Sequence, residues 1–471
     1  MDKLWYCEHV LEVRRDGMDV DSIGFSLIPV QASNCLTELN LIDCHLSYLP
    51  DEIGNLISLR NLDLAQNNLS TLPSGIGRLI SLEILNLERN SLCTLPDTVG
   101  KLSCLKELDV RYNKLSHLPS EIGDLDSLEI LVLEGNRGFR SLPESICKLV
   151  RLRDLSLYDC NLSHLPSEID RLISLESLGL ACNRSLTLPD SIWHLTSLDT
   201  LRLGGCNLSH LPSAIGGLVS LVILEIWENN ICTIPDGISN LPRLRHIQLN
   251  NCANLRSLPK LPGCYNVLAY SCPSLESLPL ELDQLGRHAD YSGFNKLAEN
   301  NYLTSLLKQL PKSKGLSKLQ HAVDILVPVA GDEEVRIWFP YHDGRGPNVS
   351  FVVPHPPSLS VNQKIVGWIL RLLVGPPGGL TIQDVIFNKI EKRGLFDFVV
   401  FHRPEVDLVW LLYIPQGYAR LRLKGGDEVE IPIIARNDNA VVKNWAIDVI
   451  YDADDELHKG NDALYQVVCP I

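Results

Sequence analysis

The chain has 471 residues, 45% hydrophobic and 21% charged, with a net charge of −15. That length exceeds one ordinary core, so two or more units of a soluble globular protein are expected. The acidity excludes a general nucleic-acid binder, and the longest apolar run, Ile365 to Val374, is broken by Arg371 and too short to span a membrane.

The first residues, MDKLWYCEHVLEVRRD, carry charges where a secretion signal needs an apolar core. A cytoplasmic or nuclear location is therefore expected. Residues 1–35 hold no full repeat; Leu4-Trp5, Val10-Leu11 and Phe25 to Val30 are predicted to form a cap or a degenerate repeat.

From 36 to 285 one string recurs, and Leu59 to Ser81 is its clearest copy: LRNLDLAQNNLSTLPSGIGRLIS. Leu59, Leu62, Leu64, Asn67 and Leu69 make the pattern LxxLxLxxNxL, followed by Leu72-Pro73, Ile76-Gly77 and Leu79. It restarts at Leu82, Leu105, Leu128, Leu152, Leu175, Leu198, Leu221 and Leu244, and reads back to Leu36. The period is 23 residues, with one step of 24 from Leu128 to Leu152, and a shortened copy begins near Tyr265. This is the leucine-rich-repeat signature, in about ten or eleven units. Leucines at the fourth and sixth positions point inward from a strand, and the IGxL segment returns along the convex side as a short helix or turn. No unit could bury its apolar face alone. The predicted fold is an α/β solenoid with a parallel sheet on its concave face, curved into a horseshoe.

Cys44, Cys160, Cys206, Cys252 and Cys272 fall in the slot that Asn67, Asn90, Asn113, Asn136, Asn183 and Asn229 fill elsewhere. A thiol fits the same small space as a weaker donor, so these five read as structural. No CxxC pair exists to suggest zinc.

The third, fifth, seventh and eighth positions of each repeat are expected to face out on the concave side. They carry isolated aromatics among carboxylates and arginines, the types that anchor protein interfaces. The candidate partner-binding set is Asp109, Arg111, Tyr112, Tyr158, Arg202, Glu225 and Trp227. The plain alternative is that exposed strand positions are simply polar and variable. Residues 1–285 carry 22 basic and 35 acidic side chains, which predicts a partner with a basic patch.

Residues 286–320 read as a helical linker, with Leu303, Leu306, Leu307 and Leu310 on one face of a helix and a hinge at Pro311 and KSKGLSK. From 321 to 460 the period becomes two, and eight strands are predicted: Asp324–Pro328, Val335–Phe339, Val349–Val353, Ile365–Val374, Phe396–His402, Asp407–Tyr413, Glu428–Ala435 and Trp445–Tyr451. They imply an all-β sandwich with Trp338, Trp368, Trp410 and Trp445 in its core, and 461–471 as a tail.

Nothing points to catalysis. There is no GxxxxGK phosphate loop, no GxSxG and no HExxH. His117, His164 and His210 lie two repeats apart, about 10 Å at sheet spacing, too far to share a metal. Asp452, Asp454, Asp455 and Glu456 read as a solvated tail. No cofactor, metal or catalytic residue is assigned, and a non-enzyme is expected.

Two parts of the chain resemble one family. The repeats LPxxIGxLxSLxxLxLxxN, ending in LRSLPKLPGCYNVLAYSCPSLESLP, resemble the C-terminal half of plant intracellular disease-resistance receptors, those with Toll/interleukin-receptor-type, nucleotide-binding and leucine-rich-repeat regions. The strings VRIWF, NVSFVVP, IVGWILRLLV, DLVWLLYIP, GDEVEIPI and VVKNWAIDVIYDAD resemble their post-repeat jelly-roll/Ig-like domain. Val335, Arg336 and Ile337 stand where that family has EIPx before its Trp, and Lys443-Asn444-Trp445 replaces Lys-Cys-Gly. The resemblance implies recognition of a pathogen effector or host protein by the repeats and sandwich loops, and association with a nucleotide-binding receptor, since no nucleotide switch is read here. A Ras-pathway-like leucine-rich signalling scaffold is the rival reading; it explains the repeats but not the C-terminal strands.

Overall fold

The computed structural model describes residues 5–7, 10–12, 36–261, 263–280, 282–293, 296–300, 302–309, 322–329, 348–353, 365–375, 379–382, 385–387, 390–392, 398–401, 408–416, 424, 426–435, 442–451 and 466–468. The expected strand at Val335–Phe339 with Trp338, the hinge at Pro311 and the acidic group from Asp452 to Glu456 lie outside them. Two compact units emerge: 1–208 with 212–226 and 240–244, and 209–211 with 227–239 and 245–471.

The first unit is a stack of repeats, each giving one three-residue strand. A hairpin of β1 (Trp5–Cys7) and β2 (Val10–Glu12) opens the sheet, and β2 runs parallel to β3 (Glu38–Asn40). Then come β4 (Asn61–Asp63), β5 (Ile84–Asn86), β6 (Glu107–Asp109), β7 (Ile130–Val132), β8 (Asp154–Ser156), β9 (Ser177–Gly179), β10 (Thr200–Arg202) and β11 (Ile223–Glu225). Each pairs in parallel with the next. Asn61 faces Ile84 and Ile84 faces Glu107, a shift of 23, while Ile130 faces Asp154, the single shift of 24. The extra residue is absorbed in Asn136-Arg137-Gly138-Phe139, where Phe139 is fully buried. In the clearest repeat Leu59, Leu62, Leu64, Leu69, Ile76 and Leu79 are each at most 1% exposed. Such burial contributes about 1.5–3 kcal/mol per side chain before entropy is subtracted.

The return segments are 3₁₀ turns, such as Ser74–Arg78 and Asp97–Lys101. Proline begins them: Pro73 and Pro96 sit in extended geometry, and their carbonyls accept the amides of Ile76 and Val99 at 3.2 and 3.0 Å. Its fixed φ and missing N–H suit that place. The glycine of IGxL has a steric cause. A Cβ on Gly100 would stand 2.3 Å from the Glu121 carbonyl oxygen of the following repeat.

The slot residue ties repeats together. Asn67 donates through Nδ2 to the carbonyls of Leu41 and Leu64 at 2.8 and 2.9 Å, and its Oδ1 accepts the amides of Cys44 and Leu46 at 3.1 and 2.9 Å. Asn113 repeats this with Leu87, Val110 and Leu92. At the cysteine slots the thiol replaces the Nδ2 donor: Cys160 and Cys206 Sγ reach the carbonyls of Leu133 and Leu180, both at 3.2 Å. Burial pushes their pKa up to about 12 and about 11, so they stay protonated. The structural reading of the slot thus has a geometric basis.

In the second unit, β12 (His246–Gln248), β13 (Asn266–Leu268) and β14 (His288–Asp290) continue as parallel repeat strands. Helices α1 (Lys296–Glu299) and α2 (Tyr302–Gln309) follow, with Leu303 and Leu306 buried. β15 (Val323–Pro328) then pairs in parallel with β14 on one side and antiparallel with β22 (Leu408–Pro415) on the other. The repeat sheet therefore runs directly into the sheet of the β domain. β17 (Ile365–Val374) pairs with β22 and with β25 (Val442–Tyr451), which pairs with β26 (Gln466–Val468). A second layer holds β16 (Asn348–Val352), β23 (Glu428–Pro432), β19 (Val385–Phe387) and β20 (Ile390–Lys392); β21 (Phe398–Phe401), β18 (Gly379–Ile382) and β24 (Ile434–Ala435) form a third sheet. Trp368, Trp410 and Trp445 share one core with Val349, Val429 and Ile431 from the second layer, so the predicted sandwich is present.

Two stability predictions follow from contacts of this kind. Gly100→Ala should cost about 1–3 kcal/mol by overpacking, read as a lower midpoint in urea unfolding, whereas Gly138→Ala, whose Cβ would meet nothing closer than 3.4 Å, should cost less. Arg371 and Asp448, each at most 5% exposed, pair across β17 and β25 at 2.9 Å. Removing one partner by Arg371→Met should cost about 3–5 kcal/mol, and Arg371→Met with Asp448→Leu far less, because only the single change strands a buried charge.

Candidate functional site

The strand face of the first unit is built by repeat position. Fifth-position Asp and Asn side chains turn the chain out of the strand: Asp63, Asn86 and Asp109 each accept, through Oδ1, the amide two residues on at 3.0 Å. Such local bonding is what these residues do at turns. The eighth position takes left-handed backbone in every repeat from β4 to β9, with φ of 59° at Gln66, 52° at Arg89, 55° at Tyr112, 73° at Gly135, 54° at Asp159 and 63° at Cys182. A bulky residue there is costly, so Tyr112 is held against backbone preference.

The candidate residues divide as follows. Asp109 is corrected: it is only 4% exposed, beneath Arg111, whose Nε donates to its Oδ2 at 2.7 Å. The fifth position was expected to face a partner, but here the carboxylate serves the turn and fixes Arg111. That bond holds the Arg111 guanidinium above its usual range. Tyr112 and Tyr158 are exposed, at 45% and 39%. The Arg89 guanidinium lies 5.3 Å from the Tyr112 ring centroid, and the ring rests on the Gly135 backbone, where a Cβ would meet it at 2.5 Å. Tyr158 faces Cys182, whose thiol does most to push the phenol up to about 12, and Tyr112 lies near enough to contribute. Arg202 and Glu225 pair across β10 and β11 at 3.4 Å. Trp227 belongs to the second unit and is half-buried. Thus Arg111, Tyr112 and Tyr158 form one group, and Arg202 with Glu225 another.

Two features escaped the sequence reading. Cys182 flanks Tyr158 from an eighth position, and Arg89, an outward eighth-position residue outside the candidate set, flanks Tyr112; aligning that position by itself would have joined both to the set. The second position, unread, carries Arg60, Glu83, Lys106, Glu129, Arg153 and Glu176, alternating in sign. Arg60 and Lys106 both reach Glu83, at 3.0 and 2.6 Å, and Arg153 reaches Glu176 at 3.3 Å. This stripe neutralises itself. His117, His164 and His210 each bond the preceding serine hydroxyl, at 2.9, 2.8 and 3.1 Å. Among the described residues, no group of three or more His, Cys, Asp or Glu is placed to hold a metal, and no helix is long and apolar enough to cross a membrane.

Comparison with known proteins agrees with the repeat pattern. The family model described as a leucine-rich repeat region matches residues 25–113, 139–251 and 168–321, more than half of the chain, and a single leucine-rich repeat matches 104–125. No curated protein matches the sequence. Among solved structures, a leucine-rich-repeat protein of Leptospira interrogans is similar at 29% identity, over 60% of this chain and 85% of its own, with a TM-score of 0.44. The leucine-rich repeat domain of the type III effector XopL is similar at 30% identity, over 44% and 74%, with a TM-score of 0.41. A plant peptide hormone receptor, RGFR1 in complex with RGF2, is similar at 31% identity, over 54% and 45%, with a TM-score of 0.42.

The geometry separates support from surface. Asp109→Ala should cost about 1–3 kcal/mol, because it strands the Arg111 amide and guanidinium. Tyr158→Ala should stay within about 0.5 kcal/mol, as an exposed change does. Urea unfolding of the two variants beside the parent chain measures both.

Proposed function

The chain is a leucine-rich-repeat protein, and on that premise we propose that it is the recognition module of a plant disease-resistance system. In this reading the exposed strand face, with loops of the β domain, binds a pathogen effector or a host protein inside the cell. The module itself binds in this reading, and a nucleotide-binding receptor would relay the signal. The observation that carries the protein-binding reading is the group of two exposed tyrosines and Arg111 on a face otherwise ruled by repeat constraints. Tyr and Arg bring large, rigid contact area to interfaces. The acidic balance of residues 1–285 favours a basic partner. The plant-immune assignment rests on the resemblance of the repeats and of the C-terminal strings. The scaffold alternative leaves the buried sandwich around Trp368, Trp410 and Trp445 without a part to play.

The test is quantitative binding of the full chain to a panel of purified basic effectors and host targets. Any partner found should bind at least about 10-fold more weakly to Tyr112→Ala with Tyr158→Ala, a hot-spot-sized effect. Unchanged affinity in that variant and in Trp227→Ala would remove the strand face from the reading.

A further inference from the structure

The second position of each repeat, just before the strand, changes character in the second unit. In the first unit it alternates in sign, and Arg60 and Lys106 are spent on Glu83 between them. Ahead of β12, β13 and β14 it carries Arg245, Tyr265 and Arg287. A tyrosine thus stands where a glutamate would pair the two arginines. Both arginines lean toward that middle repeat. Arg245 donates through Nη1 to the Gly263 carbonyl at 2.8 Å, and the Arg287 guanidinium lies 5.7 Å from the Tyr265 ring centroid. Backbone pairing holds the three side by side: the Tyr265 amide donates to the Arg245 carbonyl at 2.7 Å, and the His288 amide to the Tyr265 carbonyl at 2.9 Å. The two outer strands stand about 10 Å apart at sheet spacing. His246 and His288 tilt against the Tyr265 ring from the neighbouring repeats, at centroid distances of 6.0 and 4.7 Å. The Tyr265 side chain stays 44% exposed, and Arg245 is exposed beside it.

We propose that Arg245 and Arg287, spaced by Tyr265, bind the carboxylates of an acidic segment of a protein partner. The inference rests on the reading that the chain recognises protein. To the basic patch expected for residues 1–285 it adds a contact of opposite sign in the second unit.

Charge and geometry choose the occupant. Among the described residues neither guanidinium has a carboxylate partner. Asp324, on the strand next to β14, is already bonded by His288 and by Trp410 Nε1 at 3.4 Å. A cationic side chain would meet two guanidiniums that nothing offsets. An apolar one would desolvate them without pairing them. Phosphate sites draw on backbone N–H groups at helix N-termini or in nests, and here the amides of Tyr265, Asn266 and His288 are all committed to neighbouring carbonyls. A carboxylate needs only the guanidinium fork, which it accepts from in bidentate form. The exposed part of the Tyr265 ring offers apolar surface to the residue that joins two such carboxylates. The chain carries a net charge of −15, which opposes general attraction of an acidic peptide, so its binding requires a local cause.

The experiment titrates the full chain with acetylated hexaglutamate amide, and with a phosphoserine tripeptide of the same form, by calorimetry at low salt. Circular dichroism verifies that each variant is folded. The patch predicts that hexaglutamate binds, with a loss of about tenfold or more in Arg245→Gln with Arg287→Gln. Arg245→Lys with Arg287→Lys should lose less, since it keeps the charge without the fork. Arg256→Gln, at an exposed arginine that follows the slot residue Cys252 of the same repeat, should change nothing. No binding by the parent chain overturns the proposal, as does equal binding by the first variant or an equal loss in Arg256→Gln. Tighter binding of the phosphoserine peptide through the same two arginines also overturns it, because the occupant is then a phosphate. If hexaglutamate fails while a protein partner binds through Tyr112 and Tyr158, the patch falls and the recognition reading stands. If hexaglutamate binds through both arginines and no protein binds the full chain, the recognition reading falls and the carboxylate site stands.

Discussion

The structure depends on the bonds that one buried side chain per repeat makes to the backbone of two repeats. Asn67 and Asn113 each satisfy carbonyls on both sides of a repeat boundary and an amide of the preceding repeat. The chain must leave a three-residue strand and turn through left-handed backbone, and those groups have no ladder partner there. Unpaired, each would cost about 1–3 kcal/mol in the dry interior. A thiol supplies the donor at Cys160 and Cys206 but no equivalent acceptor, so the slot tolerates cysteine without being indifferent to it.

This bonding scheme also limits where function can reside. The inward leucines, the slot and the fifth-position turn residues are taken by the fold, and Asp109 belongs with them. The second-position stripe is spent on alternating ion pairs between neighbouring repeats. What remains is the seventh and eighth positions, where the chain emerges from the strand. There the first unit carries Arg111, Tyr112, Tyr158 and Cys182, with the Tyr112 ring resting on the backbone of Gly135. The exposed side chains that the repeat does not use to pack its core thus concentrate at these two positions.

The second unit solves the edge problem of a repeat sheet. A parallel sheet ending in water would expose a row of unpaired backbone groups. β14 instead donates its edge to β15, which turns antiparallel toward β22 and belongs to the sandwich. Asp324 on β15 accepts a bond from Trp410 Nε1 at 3.4 Å and also meets His288 on β14. Repeat strand, junction strand and sandwich core are joined at one buried carboxylate.

The sequence by itself determined the repeat, its 23-residue register, the site of the 24-residue step, the structural place of the slot cysteines and the β character of the C-terminal part. Each rests on local periodicity, which needs no knowledge of neighbours. Its rule for outward-facing positions was too generous, because a five-residue alternation shows which way Asp109 points but not that Arg111 folds back over it. Only the tertiary structure decided which charges are spent on one another, that Arg89 and Gly135 frame Tyr112, and that β14 pairs with β15. The Arg60–Glu83–Lys106 and Arg153–Glu176 pairs, the two neighbours of Tyr112 and the β14–β15 junction all join residues 23 or more positions apart, set by stacking and by sheet pairing, and no pattern within one repeat encodes them.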